Sequence, residues 1–122
     1  MEIVISNLTK KFGNKTVFDN INIEIPSGMF GLLGRNGAGK TTLMRILTTL
    51  LTKNEGEITM CGIPIENTKE IRKMVGYLPQ DFSMYPNMKV YEAMDYLGVL
   101  SEIPKQQRKE IILYFANGNY YF

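Results

Sequence analysis

Gly34-Arg35-Asn36-Gly37-Ala38-Gly39-Lys40-Thr41 is the stretch of this chain whose residue types and spacing prescribe a chemistry. It fits G-x-x-x-x-G-K-[ST], the pattern of a loop that holds the phosphates of a nucleotide. Glycines at 34, 37 and 39 are expected to take positive φ and to let the backbone approach a ligand with no Cβ between. Successive backbone N–H groups then form a concave nest for phosphate oxygens, backed by the first turn of a helix. Lys40 offers a point charge to the β- and γ-phosphates, and the Thr41 hydroxyl offers a ligand to Mg²⁺. The chemistry implied is binding of a nucleoside triphosphate.

Such a loop works only between a strand and a helix. Met29-Phe30-Gly31-Leu32-Leu33 before it is a short apolar run, which predicts a buried parallel strand. After it, Leu43, Ile46, Leu47 and Leu50 fall on one helical stripe.

The remaining elements follow from alternation and punctuation. Ile3, Ile5 and Leu8 suggest a first strand ending at a Gly13-Asn14 turn, and Ile21 to Ile25 alternates as a half-buried strand. Glu57 to Cys61 predicts another strand, with Cys61 a small buried side chain at its end. Thr68 to Met74 predicts a helix capped by Thr68, and Val75 to Leu78 a brief strand stopped by Pro79. Lys89 to Leu100 carries Val90, Ala93, Met94 and Leu97 at helical spacing, and Pro104 opens a further helix. Asn117-Gly118 between aromatic-rich runs is a hairpin signal.

Composition narrows the function classes. Fourteen basic and 12 acidic residues give a net charge of +2, too balanced to argue for nucleic acid as partner, and Lys10-Lys11 is expected to be a solvated strand end. The longest apolar stretch, Ile111 to Ala116, is far short of the roughly 20 residues of a membrane span, and the N-terminus is no signal peptide. A single cysteine fits a reducing compartment. The absence of histidine removes a Ser-His-Asp triad, a histidine base and most zinc sites.

With these features in order, residues 1–103 closely resemble the N-terminal half of the ATP-binding domain of an ABC transporter. Lys11-Phe12-Gly13 followed by Val17-Phe18 is similar to the family's adenine-stacking segment. Gly34 to Thr42, with its doubled threonine, is similar to the phosphate loop, and Gly56-Glu57-Ile58 with Gly62 to the strand after its helix. Val75 to Gln80 resembles the run that ends in the family's loop glutamine. The resemblance implies an α/β fold of the P-loop NTPase kind: an incomplete core sheet plus a small antiparallel β-subdomain. It implies ATP and Mg²⁺ as cofactors, bound by Phe12, Val17, Gly34, Asn36, Gly37, Ala38, Gly39, Lys40, Thr41 and Thr42. Thr41 and Gln80 would meet the metal, with Gln80 also positioning the attacking water.

The partners implied are a membrane-spanning transporter subunit, docking near Gln80–Met88 where Phe82, Met84, Tyr85 and Met88 are apolar, and a second ATP-binding subunit in a homo- or heterodimer. That places the protein in the cytoplasm, on the inner face of the cell membrane. Within the family the chain looks most like subunits of bacterial drug or peptide exporters.

Several family parts are missing from the sequence. None of the 12 acidic residues ends an apolar strand as a Walker B carboxylate would, and the glycine-rich signature segment and switch histidine are absent. Residues 104–122 read as the start of the helical region with an atypical tail, which a frameshift or truncation would explain. Three readings follow: the ATP-binding part of a transport ATPase, a truncated non-catalytic nucleotide-binding fragment, or an ABC protein that works outside transport. No guanine-reading or lid motif supports a P-loop kinase or GTPase.

Overall fold

The computed structural model describes residues 1–81 and 85–117. Contacts divide the chain into two compact units, Met1–Tyr77 and a second beginning at Leu78.

The first unit is a four-stranded antiparallel sheet with two helices. Its strands are β1 (Ile3–Phe12), β2 (Lys15–Ile25), β3 (Glu55–Met60) and β4 (Ile63–Pro64), in the order β2-β1-β3-β4. Alternating isoleucines set the register: Ile3 faces Ile25 and Met60, and Ile5 faces Ile23 and Ile58. Helix α1 (Lys40–Leu47) adds Leu43, Ile46 and Leu47 to the core that these strands form with Leu8 and Phe18. Helix α2 (Thr68–Met74) adds Ile71, fully buried. The β1–β2 pairing is interrupted after Ile5, where Asn7 at φ 53° donates its N–H to Asn22 Oδ1 at 3.0 Å.

Helix α1 ends at Leu47, and Thr48 folds its hydroxyl back to the Met44 carbonyl at 2.8 Å. Thr49 is left at φ 60° and is held by Arg72 of α2, whose Nε donates to its Oγ1 at 2.7 Å. Leu50 therefore lies beyond the helix and is exposed, not part of the stripe.

The second unit contains α3 (Val90–Leu100) and α4 (Lys105–Ala116). Arg108 lies against Gly98 and donates to Asp95 Oδ1 at 2.9 Å and to the Ile103 carbonyl at 2.6 Å, joining the two helices. Ala93 and Ile112 are buried, whereas Val90 and Leu97 of the expected apolar face are exposed.

Several expectations are corrected. Met29–Leu33 forms no strand and belongs to no sheet, and Met29 and Leu33 are bare. A strand is buried by its neighbours, and among the described residues none pairs with it. Val75–Leu78 is likewise unpaired. The cap of α2 is Asn67, not Thr68, and Pro104 caps α4 from outside the helix. Cys61 is exposed at φ 49°, in the turn between β3 and β4. The hairpin expected at Asn117-Gly118 is not formed up to its first residue, because α4 runs to Ala116 and the Asn117 N–H donates to the Leu113 carbonyl. Gly118 lies outside the described residues.

Candidate phosphate-binding site

The loop between Leu33 and α1 is built by its own backbone. Gly37 at φ 83° and Gly39 at φ 97° occupy the left-handed region that the sequence reading assigned to three glycines. Gly34 is the exception. It has no positive φ, and a Cβ there would lie 3.4 Å from that of Ala38, an ordinary contact. Between them the Ala38 N–H donates to the Arg35 carbonyl at 3.1 Å, turning the chain through Asn36.

Gly39 is both hinge and cap. As the left-handed N-cap of α1 it has no side chain to offer, and no acid stands in the helix's first turn. The N–H groups of Lys40, Thr41 and Thr42 therefore face the loop without intrahelical acceptors, at the positive end of the helix dipole. A Cβ on Gly39 would sit 2.7 Å from the Phe18 ring and 2.8 Å from Val17 Cγ1. Strand β2 thus packs directly on the loop backbone, which is the structural role of Val17. Phe18 shares that contact and was missing from the sequence-derived site. Its place among the inward-facing residues of β2 was the available signal.

Lys40 is half-buried, and its Nζ donates to the Gly34 carbonyl, closing the loop on itself. Thr41 is exposed and Thr42 half-buried. The donor set suits a polyanion: orphan helix amides, one ammonium, and two left-handed glycines. For Mg²⁺ it offers the Thr41 hydroxyl; among the described residues no three carboxylate, cysteine or histidine side chains gather to hold a metal.

Phe12 lies at the turn end of the β1–β2 hairpin, opposite Lys15, and is 47% exposed. It is not strand-end core. Lys10 pairs with Phe18, and its Nζ stands 4.8 Å from the Phe12 ring centroid. Lys10 is buried, so of the Lys10-Lys11 pair only Lys11 is the solvated residue expected. Val17 and Phe18 abut Gly39, and Phe12 lies further along the same hairpin, at its turn.

Gln80 belongs to the second unit, exposed in a stretch that is neither helix nor strand. Tyr85 packs edge-on against Tyr96 of α3 with centroids 5.7 Å apart, and both it and Met88 remain exposed. Phe82 and Met84 lie outside the described residues. No described helix is long and apolar enough to cross a membrane.

Comparison with known proteins agrees with this geometry. The ABC transporter family model matches residues 18–119. An uncharacterized ABC transporter ATP-binding protein of Bacillus subtilis strain 168, YhaQ, is 41% identical over 86% of this chain and 35% of its own length. The Fe(3+) ions import ATP-binding protein FbpC of Escherichia coli O157:H7 is 36% identical over 90% of this chain and 33% of its own. A Nod factor export ATP-binding protein of Cupriavidus metallidurans is 39% identical over 90% and 38%. The chain thus spans between a third and two-fifths of these relatives. Among solved structures, an ATP-binding subunit of an ABC transporter has a similar fold, with a TM-score of 0.73 at 18% identity over 87% of this chain and 45% of that one. A dimeric ATP-binding cassette solved in a post-hydrolysis state with ADP and Pi gives a TM-score of 0.70 at 24% identity, over 88% and 53%. The α/β fold of a P-loop NTPase follows, and the chain belongs to the ABC transporter family.

Proposed function

We propose that this chain supplies the nucleotide-holding part of an ABC transporter ATP-binding subunit, taking ATP with Mg²⁺ at Gly34–Thr42. The observation that carries the reading is the start of α1, where a left-handed glycine caps the helix with no side chain and no acid opposes the dipole. An anion there receives the orphan amides and the favourable end of the helix together. Lys40, which donates to the neutral Gly34 carbonyl, would exchange that acceptor for a charged phosphate oxygen, a bond roughly twice as strong. The Thr41 hydroxyl would hold Mg²⁺, which would supply positive charge against the phosphates. Phe12 would stack the base, and Lys10 beneath the ring adds positive charge to that end of the hairpin.

In the whole protein, hydrolysis of this ATP would power transport across a membrane. Gln80 is assigned to the metal and the attacking water, and Gln80–Met88 to the contact with the membrane-spanning subunit. Two ATP-binding subunits would work as a dimer on the cytoplasmic face. Relatives named for import and for export match at similar identity, so cargo and direction are assigned to the membrane subunit. A second reading is a nucleotide-binding fragment without catalysis, since none of the 12 acidic residues ends an apolar run as the family's catalytic carboxylates would.

The test is calorimetric titration with MgATP. Lys40→Ala should weaken binding by about 1.5–3 kcal/mol, the scale of a hydrogen bond to a charged group. Equal affinity in the variant overturns the assignment.

A further inference from the structure

Lys10 and Phe12, two residues apart on β1, meet near the turn of the hairpin, where the Lys10 ammonium stands over the Phe12 ring, 4.8 Å from its centroid. Their exposure is the reverse of their chemistry: the lysine is 7% exposed and the phenylalanine 47%. A lysine this buried ordinarily has a carboxylate partner. The ion pairs among the described residues are Lys53–Glu66, Lys73–Glu70 and Arg108–Asp95, so Lys10 has none there. The ring face is what its cation has instead, an attraction that grows as the pair is desolvated. Across the strands Lys10 pairs with Phe18, whose ring borders Gly39 of the phosphate loop. Among the described residues no other ring lies on Phe12. With one face under the ammonium, a planar ligand can lie only on the other.

We propose that Lys10 is a positioning residue for base stacking: it covers one face of Phe12 and holds the ring, so that the base of the bound triphosphate lies on the other face. The inference rests on the reading of Phe12 as the stacking ring. Its physical content is pre-organisation. A half-exposed phenylalanine beside a hairpin turn rotates about two side-chain torsions, and ordering it at the moment of binding costs affinity. The buried lysine orders it beforehand. The rival role is plain electrostatics, in which the ammonium attracts the phosphates whether or not a base is attached. The two roles differ in what they predict for a triphosphate that has no base.

The experiment is calorimetric titration of the 122-residue chain with MgATP and with magnesium tripolyphosphate, which keeps the phosphates and lacks the base. Lys10→Met keeps a long stem without the charge. It should weaken MgATP about three- to tenfold, the scale of ordering one side chain, and leave tripolyphosphate within about twofold. Lys10→Arg should keep the MgATP affinity, since a guanidinium also lies over ring faces. In a Phe12→Ala background Lys10→Met should change MgATP affinity by less than about twofold, because the two residues act as one unit. Unchanged MgATP affinity in Lys10→Met, or equal losses for MgATP and tripolyphosphate, overturns the proposal and leaves stacking by Phe12 standing. Unchanged affinity in Phe12→Ala instead sinks the stacking reading, and the proposal with it. Proton NMR of the unmutated chain needs no variant to fold. The ring-shifted signals of the Lys10 ε-methylene should persist at saturating MgATP, and their return to random-coil positions would show the base in the ammonium's place, which also overturns the proposal.

Discussion

Gly39 is the residue on which loop, helix and hairpin converge, and replacing it by alanine separates two costs. At φ 97° an alanine backbone is strained, by about 1–2 kcal/mol for a left-handed L-residue. The added methyl would also lie 2.7 and 2.9 Å from Phe18 ring carbons and 2.8 Å from Val17 Cγ1. Carbon contacts this short require side chains or backbone to shift, and overpacking of that kind costs about 1–3 kcal/mol. Gly39→Ala should therefore destabilise the first unit by about 2–5 kcal/mol. Gly37→Ala provides the control, because Gly37 has φ 83° but nothing within 4 Å of its would-be Cβ. It should cost only the strain, about 1–2 kcal/mol.

Urea unfolding followed by far-UV circular dichroism measures both. Part of the packing share is then tested by Val17→Ala, which removes Cγ1 while the Phe18 contacts remain. In the double variant the cost of Gly39→Ala should fall by about 1 kcal/mol, a coupling in the range seen for touching residues. The reasoning is refuted if the two glycine variants are equally destabilised, or if Val17→Ala and Gly39→Ala are additive.

Phe12→Ala should weaken ATP and GTP by the same factor, about 1–3 kcal/mol each, because a ring face reads stacking and not base edges; competition binding with both nucleotides checks this. The chain alone with saturating MgATP should release phosphate no faster than buffer, since binding ground and transition states equally gives no acceleration; turnover abolished by Lys40→Ala would reveal an unrecognised carboxylate. The Glu66 carboxyl is held below its usual value of 4.5, chiefly by the hydrogen bond from Lys53 at 2.7 Å. Its contribution to stability is complete above that value and lost as pH falls through the lowered one. Glu66 is largely exposed, so the loss should be under about 1 kcal/mol, and Lys53→Met should remove that part of the acid slope in thermal melts.

The phosphate loop was legible because its requirements are local. A glycine pattern states which backbone positions have no Cβ, and Gly37 and Gly39 use that freedom. Alternation in Ile3, Ile5, Ile21, Ile23 and Ile25 fixed the hairpin for the same reason: register follows from which side chains must face inward. Cys61 and Lys10 were misread because their burial depends on neighbours. The turn between β3 and β4 turns Cys61 outward, while the Phe12 ring gives the Lys10 ammonium a place to lie. Phe18 was underweighted because its partner is a glycine, and contact with a backbone leaves no complementary side chain to notice.

Met29–Leu33 poses the deeper case. The same residues that predicted a buried strand form none and are uncovered, so composition described the environment the segment needs and not the one found around it. Burial of a parallel strand is a property of what lies on either side of it, which the local sequence does not contain. The loop that follows does not depend on that burial for its shape, because Gly39 is clamped by β2 and α1 is seated by Leu43, Ile46 and Leu47. The conformation of the loop therefore rests on contacts within the first unit.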